Sequence, residues 1–233
     1  MIRRPGWSSR LMRRKQVNQN QEQRNDPGKA LPFEQRSGRD GACARLAVMS
    51  GPASRFATLE DLRALPDTVI GEILGGQVIT SPRPSGRHAY AATGLTISIG
   101  SPFHFDDGGP GGWTILTEPE LHLGPDVMVP DLAGWRRERM PTAPADAAID
   151  SAPDWVCEIL SPSTARTDRV QKMPAYARHG VKHLWLLDPV TQTLEVFALD
   201  AGRWVLLANH GGNEVVRAVP FEAVELRLER LWG

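Results

Sequence analysis

The chain has 233 residues, enough for one large domain or two small ones, and 41% of them are apolar, which is sufficient for a sizeable core. The net charge of zero hides an asymmetry, because residues 1–50 contain 11 Lys/Arg and 4 Asp/Glu whereas the remaining residues contain 16 and 23. An acidic body excludes a simple basic surface that wraps DNA. If the substrate is a nucleic acid, metal ions and a local cleft must attract it.

The two cysteines, Cys43 and Cys157, cannot build a disulfide framework, and Cys157 is predicted to pack as a small buried side chain inside an apolar run. This cysteine usage is typical of a reducing compartment, so we expect a cytoplasmic protein. No stretch reaches the roughly 18–20 apolar residues that span a bilayer. The basic N-terminus also lacks the apolar region of a secretory signal, so no membrane segment is predicted.

Residues 1–48 are rich in Arg, Gln, Asn and Gly with little apolar periodicity, which predicts a disordered basic extension. One explanation is an arm that touches nucleic acid, supported by the Arg13-Arg14-Lys15 cluster. The other is a misassigned start, with Met49 as the true first residue. We favour the second because organised structure is predicted only after Met49, which leaves a single domain over residues 49–233.

Apolar periodicity and turn residues predict the elements of the first part of this domain. A short helix capped by Thr58 and Asp61 ends at Pro66, and a Gly75-Gly76 turn joins two strands. In chain order, the sequence predicts a helix over 58–65, strands over 69–74 and 78–80, a helix over 85–99, a loop over 108–112, strands over 113–117, 121–123 and 127–135, and a long loop over 136–152.

The second part begins with a compact apolar strand, 155–160, that contains one acid, Glu158. A helix over 164–179 follows, closed by Gly180 as its C-cap. Further strands are predicted over 183–187, 193–199 and 204–208. A run of strands followed by a strand–helix–strand unit predicts an α/β or α+β fold with a mixed sheet.

Two acids lie within apolar stretches of this pattern. Asp131 follows Pro130 in the predicted strand 127–135, and Glu158 lies among Val, Cys, Ile and Leu residues. An acid in such a run is costly unless it is paired or bound to a cation. Two acids on strands that can be neighbours therefore indicate a site with oxygen ligands for a hard cation, Mg²⁺ or Mn²⁺.

Lys172 is the third candidate residue. Eight residues into the predicted helix, it lies ~12 Å along the axis, and Glu158 lies ~10 Å back along its strand. A helix that folds back over the strand brings the two to one level, and helical side chains lean towards the N-terminus of the helix. An ordinary i, i+4 pair with Asp168 is the alternative explanation for this lysine.

Motifs spread over much of the chain carry a family resemblance. They are Glu72-Ile73-Leu74-Gly75-Gly76-Gln77, Ser81-Pro82, His88, Pro130-Asp131, Glu158-Ile159-Leu160-Ser161-Pro162-Ser163-Thr164, Asp168, Lys172, Tyr176-Ala177, Gly180-Val181 and Trp185-Leu186-Leu187-Asp188-Pro189. In these motifs the chain, over about residues 55–230, resembles the Uma2-type endonuclease-like family, a branch of the PD-(D/E)XK nuclease superfamily. The resemblance implies an α/β, restriction-endonuclease-like fold with a mixed β-sheet flanked by helices.

The resemblance also implies a set of site residues. Asp131 and Glu158 would bind the metal, and the backbone carbonyl of Ile159 is a further candidate ligand. The usual superfamily lysine position holds Leu160, and the Uma2-like branch places that lysine on the following helix, where Lys172 stands. Glu72 would be an accessory acid and the expected extra ligand for a second metal. The acidic residue common in the turn after Glu72 is replaced by Gly75.

The implied activity is Mg²⁺-dependent (or Mn²⁺-dependent) endonucleolytic hydrolysis of DNA by a homodimer. Lys172 would stabilise charge on the phosphate or act on the attacking water, and we favour the electrostatic role because a lysine base first needs a depressed pKa. His88 and Asp168 are predicted accessory residues. Two alternatives stay open: an inactive nuclease fold that binds nucleic acid or a partner, and a metal-dependent hydrolase of a small phosphorylated substrate.

Overall fold

A computed structural model of the protein describes residues 55–233. The predicted disordered extension, 1–48, with its Arg13-Arg14-Lys15 cluster and Cys43, lies outside the described residues. Within residues 55–233, none of the helices has both the length and the apolar content needed to cross a membrane.

The strands of the described chain are short and numerous. In chain order they are β1 (Val69–Leu74), β2 (Gln77–Pro82), β3 (Trp113–Thr117), β4 (Glu120–Leu123), β5 (Asp126–Met128), β6 (Leu132–Arg136), β7 (Ala148–Ile149), β8 (Trp155–Ile159), β9 (His183–Asp188), β10 (Thr193–Asp200), β11 (Arg203–Gly211), β12 (Val215–Val216) and β13 (Leu226–Arg227).

The helices are α1 (Leu59–Arg63), α2 (Gly86–Ile99), α3 (Ala165–Thr167) and α4 (Met173–Arg178). A π-helical turn, Gly100–His104, continues α2, and a second one, Asp168–Lys172, joins α3 to α4. A 3₁₀ turn, Leu228–Leu231, lies near the C-terminus.

The strands form two larger sheets. The first has the spatial order β2-β1-β5-β4-β7 and the second β11-β10-β9-β8-β6-β3, while β12 and β13 pair separately. Each larger sheet contains one parallel pair, β4 with β7 and β8 with β9, and its other pairs are antiparallel. The predicted α/β class with a mixed sheet is confirmed, but the strands divide between two sheets where one central sheet was expected.

The largest departure from the sequence prediction is at residues 127–135. The single predicted strand is two strands, β5 in the first sheet and β6 in the second, separated by Val129, Pro130 and Asp131. Pro130 has no N–H to donate to a ladder, so the chain leaves one sheet there and enters the other. Asp131 therefore lies at the crossing between the sheets, and its predicted place inside a strand was wrong.

The predicted helix 85–99 is confirmed as α2, whereas the predicted helix 164–179 is interrupted. Ser85 is the N-cap of α2, and its Oγ accepts a hydrogen bond from the His88 N–H at 3.3 Å. The predicted helix 164–179 is divided by the π-helical turn that ends at Lys172. The predicted loop 136–152 contains the short strand β7. The Gly75-Gly76 turn is as expected, with φ values of 58° and 78° that allow a two-residue hairpin.

Strand β8 lies at the centre of the second sheet and is buried on both faces. Its alternate residues point to two separate cores, because side chains along a strand alternate between faces. Trp155, Cys157 and Ile159 belong to the core beneath α2, whereas Val156 and Leu160 belong to the core that includes Tyr176 of α4. Glu158 therefore points into an apolar layer and needs polar partners there.

Candidate active site

The carboxylate of Glu158 is fixed by two side chains from the segment that folds back over β8. Lys172 Nζ lies 2.9 Å from Oε1 of Glu158 and donates to Oε2 at 3.0 Å. The Tyr176 hydroxyl donates to Oε1 of the same carboxylate. Glu158 is only 2% exposed, so these contacts replace the water that a free carboxylate would have.

Lys172 is the centre of a wider polar cluster. Besides Glu158, its ammonium lies 3.1 Å from Oε1 of Glu72 and donates to the Val129 carbonyl at 3.2 Å. Asp168, one helical turn earlier, is 3.9 Å away. The predicted i, i+4 pair is therefore present, but it is the longest of these contacts. Lys172 is the last residue of the π-helical turn, and the closer carboxylates come from strands of both sheets.

Charge and burial set the protonation of this cluster. Burial alone lowers the pKa of Lys172, but the surrounding charges of Glu158, Glu72, Asp168 and Asp131 raise it well above the ordinary lysine value. Burial raises the pKa of Glu158, and it raises that of Asp168 to about 6 although Lys172 lowers it. The lysine therefore stays charged, and the carboxyl groups compete for one ammonium.

Asp131 is held beside this cluster by two hydrogen-bonding groups. Its Oδ2 accepts from the Ile159 N–H at 2.6 Å, and its Oδ1 lies 3.1 Å from Nε2 of His88. Because the N–H and C=O of one strand residue point to the same side, we expect the Ile159 carbonyl to face Asp131 as well. The side chain of Asp131 is 18% exposed and therefore open to the cleft, unlike Glu158.

His88 belongs to the first turn of α2 and is buried. Burial by itself lowers its pKa, but the hydrogen bond and charge of Asp131 raise it above the ordinary histidine value. Its other ring nitrogen, Nδ1, has no hydrogen-bond partner among the described residues. Within the described residues the imidazole therefore contacts a polar partner only through Nε2, at Asp131, and its accessory role stays a prediction.

Glu72 connects the first sheet to the cluster. Its Oε1 accepts from the Val129 N–H at 2.8 Å and lies 3.1 Å from Lys172 Nζ, and the residue is 3% exposed. The N–H and the C=O of Val129 are thereby bound by Glu72 and Lys172, respectively. These bonds hold the chain where it crosses between the sheets, two residues before Asp131.

A cleft of about 310 Å³ lies over these residues. Its floor is polar and acidic, and its rim is built from two segments with Ser-Pro sequences. One segment runs from the end of β2 towards α2 and the other follows β8; the rim residues are Ser81, Pro82, Arg83, Ser161, Pro162 and Ser163.

The donor set suits a hard divalent cation. Four carboxyl groups line the floor around one ammonium, so the cluster has surplus negative charge; they belong to Glu72, Asp131, Glu158 and Asp168. Among residues 55–233, no group of three or more His, Cys, Asp or Glu side chains is arranged to hold a metal ion. Asp131, Glu158 and a backbone carbonyl still match Mg²⁺, which commonly takes one or two carboxylates and keeps several waters.

Burial of Glu158 on its own does not require a metal. The cation that this acid needs is Lys172, which the protein supplies itself. The case for an added ion comes from the other carboxyl groups, because Lys172 and His88 together carry at most two positive charges beside four of them.

The sequence reasoning missed two contributors to the site. Tyr176 was noted only within a family motif, although it is fully buried against Glu158. Its position four residues after Lys172, on the same helical face, was the signal that could have found it. Arg83 on the rim was also missed, and a cation beside a predicted acidic site was the available clue.

Comparisons with known proteins identify a family and a solved structure that the chain resembles. The family model described as "Uma2: Putative restriction endonuclease" matches residues 57–229. A crystal structure described as that of a putative nuclease belonging to DUF820, from Anabaena variabilis, is 25% identical in sequence. That match covers 76% of this chain and 97% of the other chain, with a TM-score of 0.62. No curated protein matches the chain.

Proposed function

The chain belongs to the Uma2 family, and we propose that its cleft hydrolyses DNA phosphodiester bonds as a Mg²⁺-dependent (or Mn²⁺-dependent) endonuclease. The observation that supports this proposal is the convergence of Asp131, Glu158 and Lys172 on one cleft floor, from a sheet crossing, a central strand and a helical turn. The nuclease description of the structural neighbour supports the same class of activity.

Asp131, Glu158 and the Ile159 carbonyl would hold the cation, and Glu72 is the proposed extra ligand if a second ion binds. When bound, the ion would lower the pKa of a coordinated water and neutralise charge on the phosphate. The Ile159 N–H and His88 fix the two oxygens of Asp131, so this ligand is oriented before the ion arrives.

Lys172 acts as a fixed positive charge in this proposal. Its raised pKa means that it keeps its proton at neutral pH, which opposes a role as general base. As water attacks phosphorus and the bond to the leaving oxygen breaks, negative charge grows on the phosphoryl oxygens. A buried ammonium stabilises that charge without needing to reorganise.

The rim of the cleft supplies groups for the nucleic-acid backbone. Arg83 lines the rim and is exposed, and the hydroxyls of Ser161 and Ser163 lie there as well. Arginine and hydroxyl groups are common ligands of phosphate oxygens. Because the body is acidic, we propose that this local rim and the bound ion, rather than a broad basic surface, attract the DNA. A homodimer is proposed because the family resemblance implies it, and a cytoplasmic location is proposed from the cysteine usage.

The test is cleavage of supercoiled plasmid and of a short single strand by the full-length protein, with Mg²⁺, Mn²⁺ or a chelator present. We expect metal-dependent nicking or cutting that Asp131→Asn and Lys172→Met strongly reduce. Asp146→Asn and Lys182→Met are the matched controls, because both residues are exposed and neither lines the cleft.

Equal cleavage by the wild type and both site variants would identify a contaminating nuclease and overturn the proposal. Metal binding measured by calorimetry gives a second readout. Mn²⁺ binding that survives Glu158→Gln and Asp131→Asn unchanged would refute the ligand set, whatever the activity. A folded wild type that binds DNA and Mn²⁺ yet cleaves nothing would indicate the inactive, nucleic-acid-binding alternative.

The size of the cleft favours a second candidate, hydrolysis of a small phosphorylated substrate. A volume of about 310 Å³ is that of a small-molecule pocket. A panel of nucleotides and simple phosphodiesters, run under the same metal conditions, separates the two. Turnover of these compounds without cleavage of plasmid or single strand would select the second candidate.

A further inference from the structure

The outer strand of the second sheet, β11, is an open edge with an apolar centre. It pairs only with β10, and no backbone hydrogen bond joins residues 203–210 to any other part of the described chain. Every second residue of such a strand turns its N–H and C=O away from the sheet. Three consecutive side chains are also exposed, by 43% at Val205, 51% at Leu206 and 48% at Leu207.

At the opposite edge of the same sheet, strand β3 has backbone groups that are bonded to side chains. The Ile115 N–H of β3 donates to Nδ1 of His104 at 2.9 Å, and the Trp113 carbonyl accepts from Arg137 at 3.3 Å. Two outward backbone groups of β3 are thus bonded to side chains. Within the described residues, positions 203–210 of β11 have no such cover, so the difference lies between two edges of one sheet.

Edge strands of soluble proteins are usually protected by Lys, Pro or a bulge. Strand β11 contains neither Lys nor Pro. Its one bulge is at Leu207, which has no partner between the Phe197–Leu206 and Val196–Ala208 pairs. This bulge leaves an apolar side chain exposed instead of a charged one, so the edge is suited to pairing with another strand.

We propose that β11 pairs antiparallel with β11 of a second copy of this chain and forms the interface of a homodimer. The two ends of the strand have opposite charge, so an antiparallel two-fold pairing of the strand with itself is self-complementary. Arg203 begins the strand and is exposed. At the other end, Oε1 of Glu214 accepts from the Gly211 N–H at 3.2 Å, which holds a half-exposed carboxylate beside Gly211.

Pairing centred on Leu207 places Arg203 opposite the partner subunit's Gly211, and hence beside the partner subunit's Glu214. The two-fold axis repeats this contact at the other end. The apolar side chains of Val205, Leu206 and Leu207 then lie at the middle of the pair, between two ion pairs. Backbone hydrogen bonds supply affinity in this mode of recognition, and the side chains fix the register.

The inference deepens the homodimer named under the proposed function, and its test does not depend on nuclease activity. Sedimentation of the full-length protein over a concentration series should show a monomer–dimer equilibrium. Leu206→Lys and Leu207→Lys should each raise the dissociation constant more than about tenfold, because they place like charges at the two-fold centre. Ile97→Lys, at a residue 66% exposed on α2, is the matched control and should not.

Charge exchange tests the register. Arg203→Glu and Glu214→Arg should each weaken the dimer, and the double variant should restore it because the ion pairs re-form with reversed sign. Thermal unfolding of each variant checks that the chain still folds. A monomer at every concentration, a dimer that ignores Leu207→Lys, or a double variant no better than the single ones would each overturn the proposal. Protection of β11 from hydrogen exchange in a monomer would show that another part of the same chain covers the edge.

Discussion

The ammonium of Lys172 lies 2.9 Å from Oε1 of Glu158, although fourteen residues separate the two in sequence. The contact joins the π-helical turn before α4 to the central strand β8, so it closes the chain over its own preceding strand. Both side chains are almost completely buried, by the same layer that contains Val156 and Leu160. One contact therefore belongs to the fold and to the proposed chemistry at once.

Replacing Lys172 with Met should lower both the stability of the fold and the rate of cleavage. The variant leaves Glu158 and Glu72 buried without a cation, which costs about 3–5 kcal/mol when a buried pair loses one partner. Cleavage should fall by about 10²–10³, the usual effect of removing a group that stabilises transition-state charge. Urea unfolding and single-turnover cleavage measure the two effects separately.

Lys182→Met is the control for this prediction. Lys182 also pairs with a buried acid, lying 3.2 Å from Asp154, but its side chain is 66% exposed. Solvent screens such a pair, so its loss should cost no more than about 1 kcal/mol. A Lys172→Met variant as stable as Lys182→Met would mean that the buried carboxyl groups of the cleft do not depend on the ammonium.

Replacing Tyr176 with Phe should disturb the orientation of Glu158 with little change in shape. The variant removes the hydroxyl that donates to Oε1 and leaves this buried acceptor with Lys172 as its partner. The expected cost is about 1–3 kcal/mol in the free energy of unfolding, together with weaker Mn²⁺ binding by calorimetry.

Tyr90→Phe is the matched control, because Tyr90 is the other tyrosine of the chain and is 52% exposed. It should leave both measurements unchanged. If Tyr176→Phe lowers stability but binds Mn²⁺ as tightly as the wild type, the hydroxyl supports the fold alone and does not position a metal ligand.

The sequence predicted the residues of the candidate site better than it predicted the structure around them. An acid inside a short apolar strand marked Glu158, because such a position demands a partner whichever fold contains it. The break at Val129–Asp131 was not predicted, because the apolar pattern is the same for one strand and for two strands in different sheets. Proline is rare inside a central strand because it has no N–H to donate, so Pro130 was the signal for the break. It should have counted for more than the apolar pattern.

Sequence patterns did not predict the irregular helix or the long-range polar contacts. A regular helix predicted the level of Lys172 correctly, but the π-helical turn at Asp168–Lys172 leaves no mark on a 3.6-residue periodicity. Asp126 is another case. It is 1% exposed and bonded to groups 51 to 53 residues away, yet its sequence neighbourhood reads as an ordinary turn. Only the assembled fold brings such partners together.

Asp126 should stabilise the protein at neutral pH and lose that effect in acid. Burial alone raises its pKa, but hydrogen bonds from the Gly75 N–H, His179 and Arg178 outweigh burial and lower it. The folded state therefore holds the proton less tightly than the unfolded chain does. Its stabilisation is complete above about pH 4, the ordinary aspartate pKa, and is lost as the pH falls through the lower folded value.

Asp126→Asn should accordingly be about 1–3 kcal/mol less stable than the wild type at pH 7. The difference should shrink steadily as urea unfolding is repeated below about pH 4. Asp150→Asn, at an exposed residue, should show no difference at either pH. A gap between Asp126→Asn and the wild type that is independent of pH would assign the effect to packing and not to ionisation.

Asp168 should make the free energy of unfolding depend on pH in the direction opposite to Asp126. Burial raises its pKa to about 6, although Lys172 and a hydrogen bond with Thr164 lower it. Between about pH 4 and pH 6 the folded state therefore holds a proton that the unfolded chain has released, so the stability of the wild type falls as the pH rises through this window. Asp168→Asn has no proton to lose, and urea unfolding should show it gaining about 1–3 kcal/mol on the wild type across the window, with no further gain above it. The same change of unfolding free energy with pH in both proteins would mean that Asp168 ionises near its ordinary pKa and that Lys172 neutralises it fully.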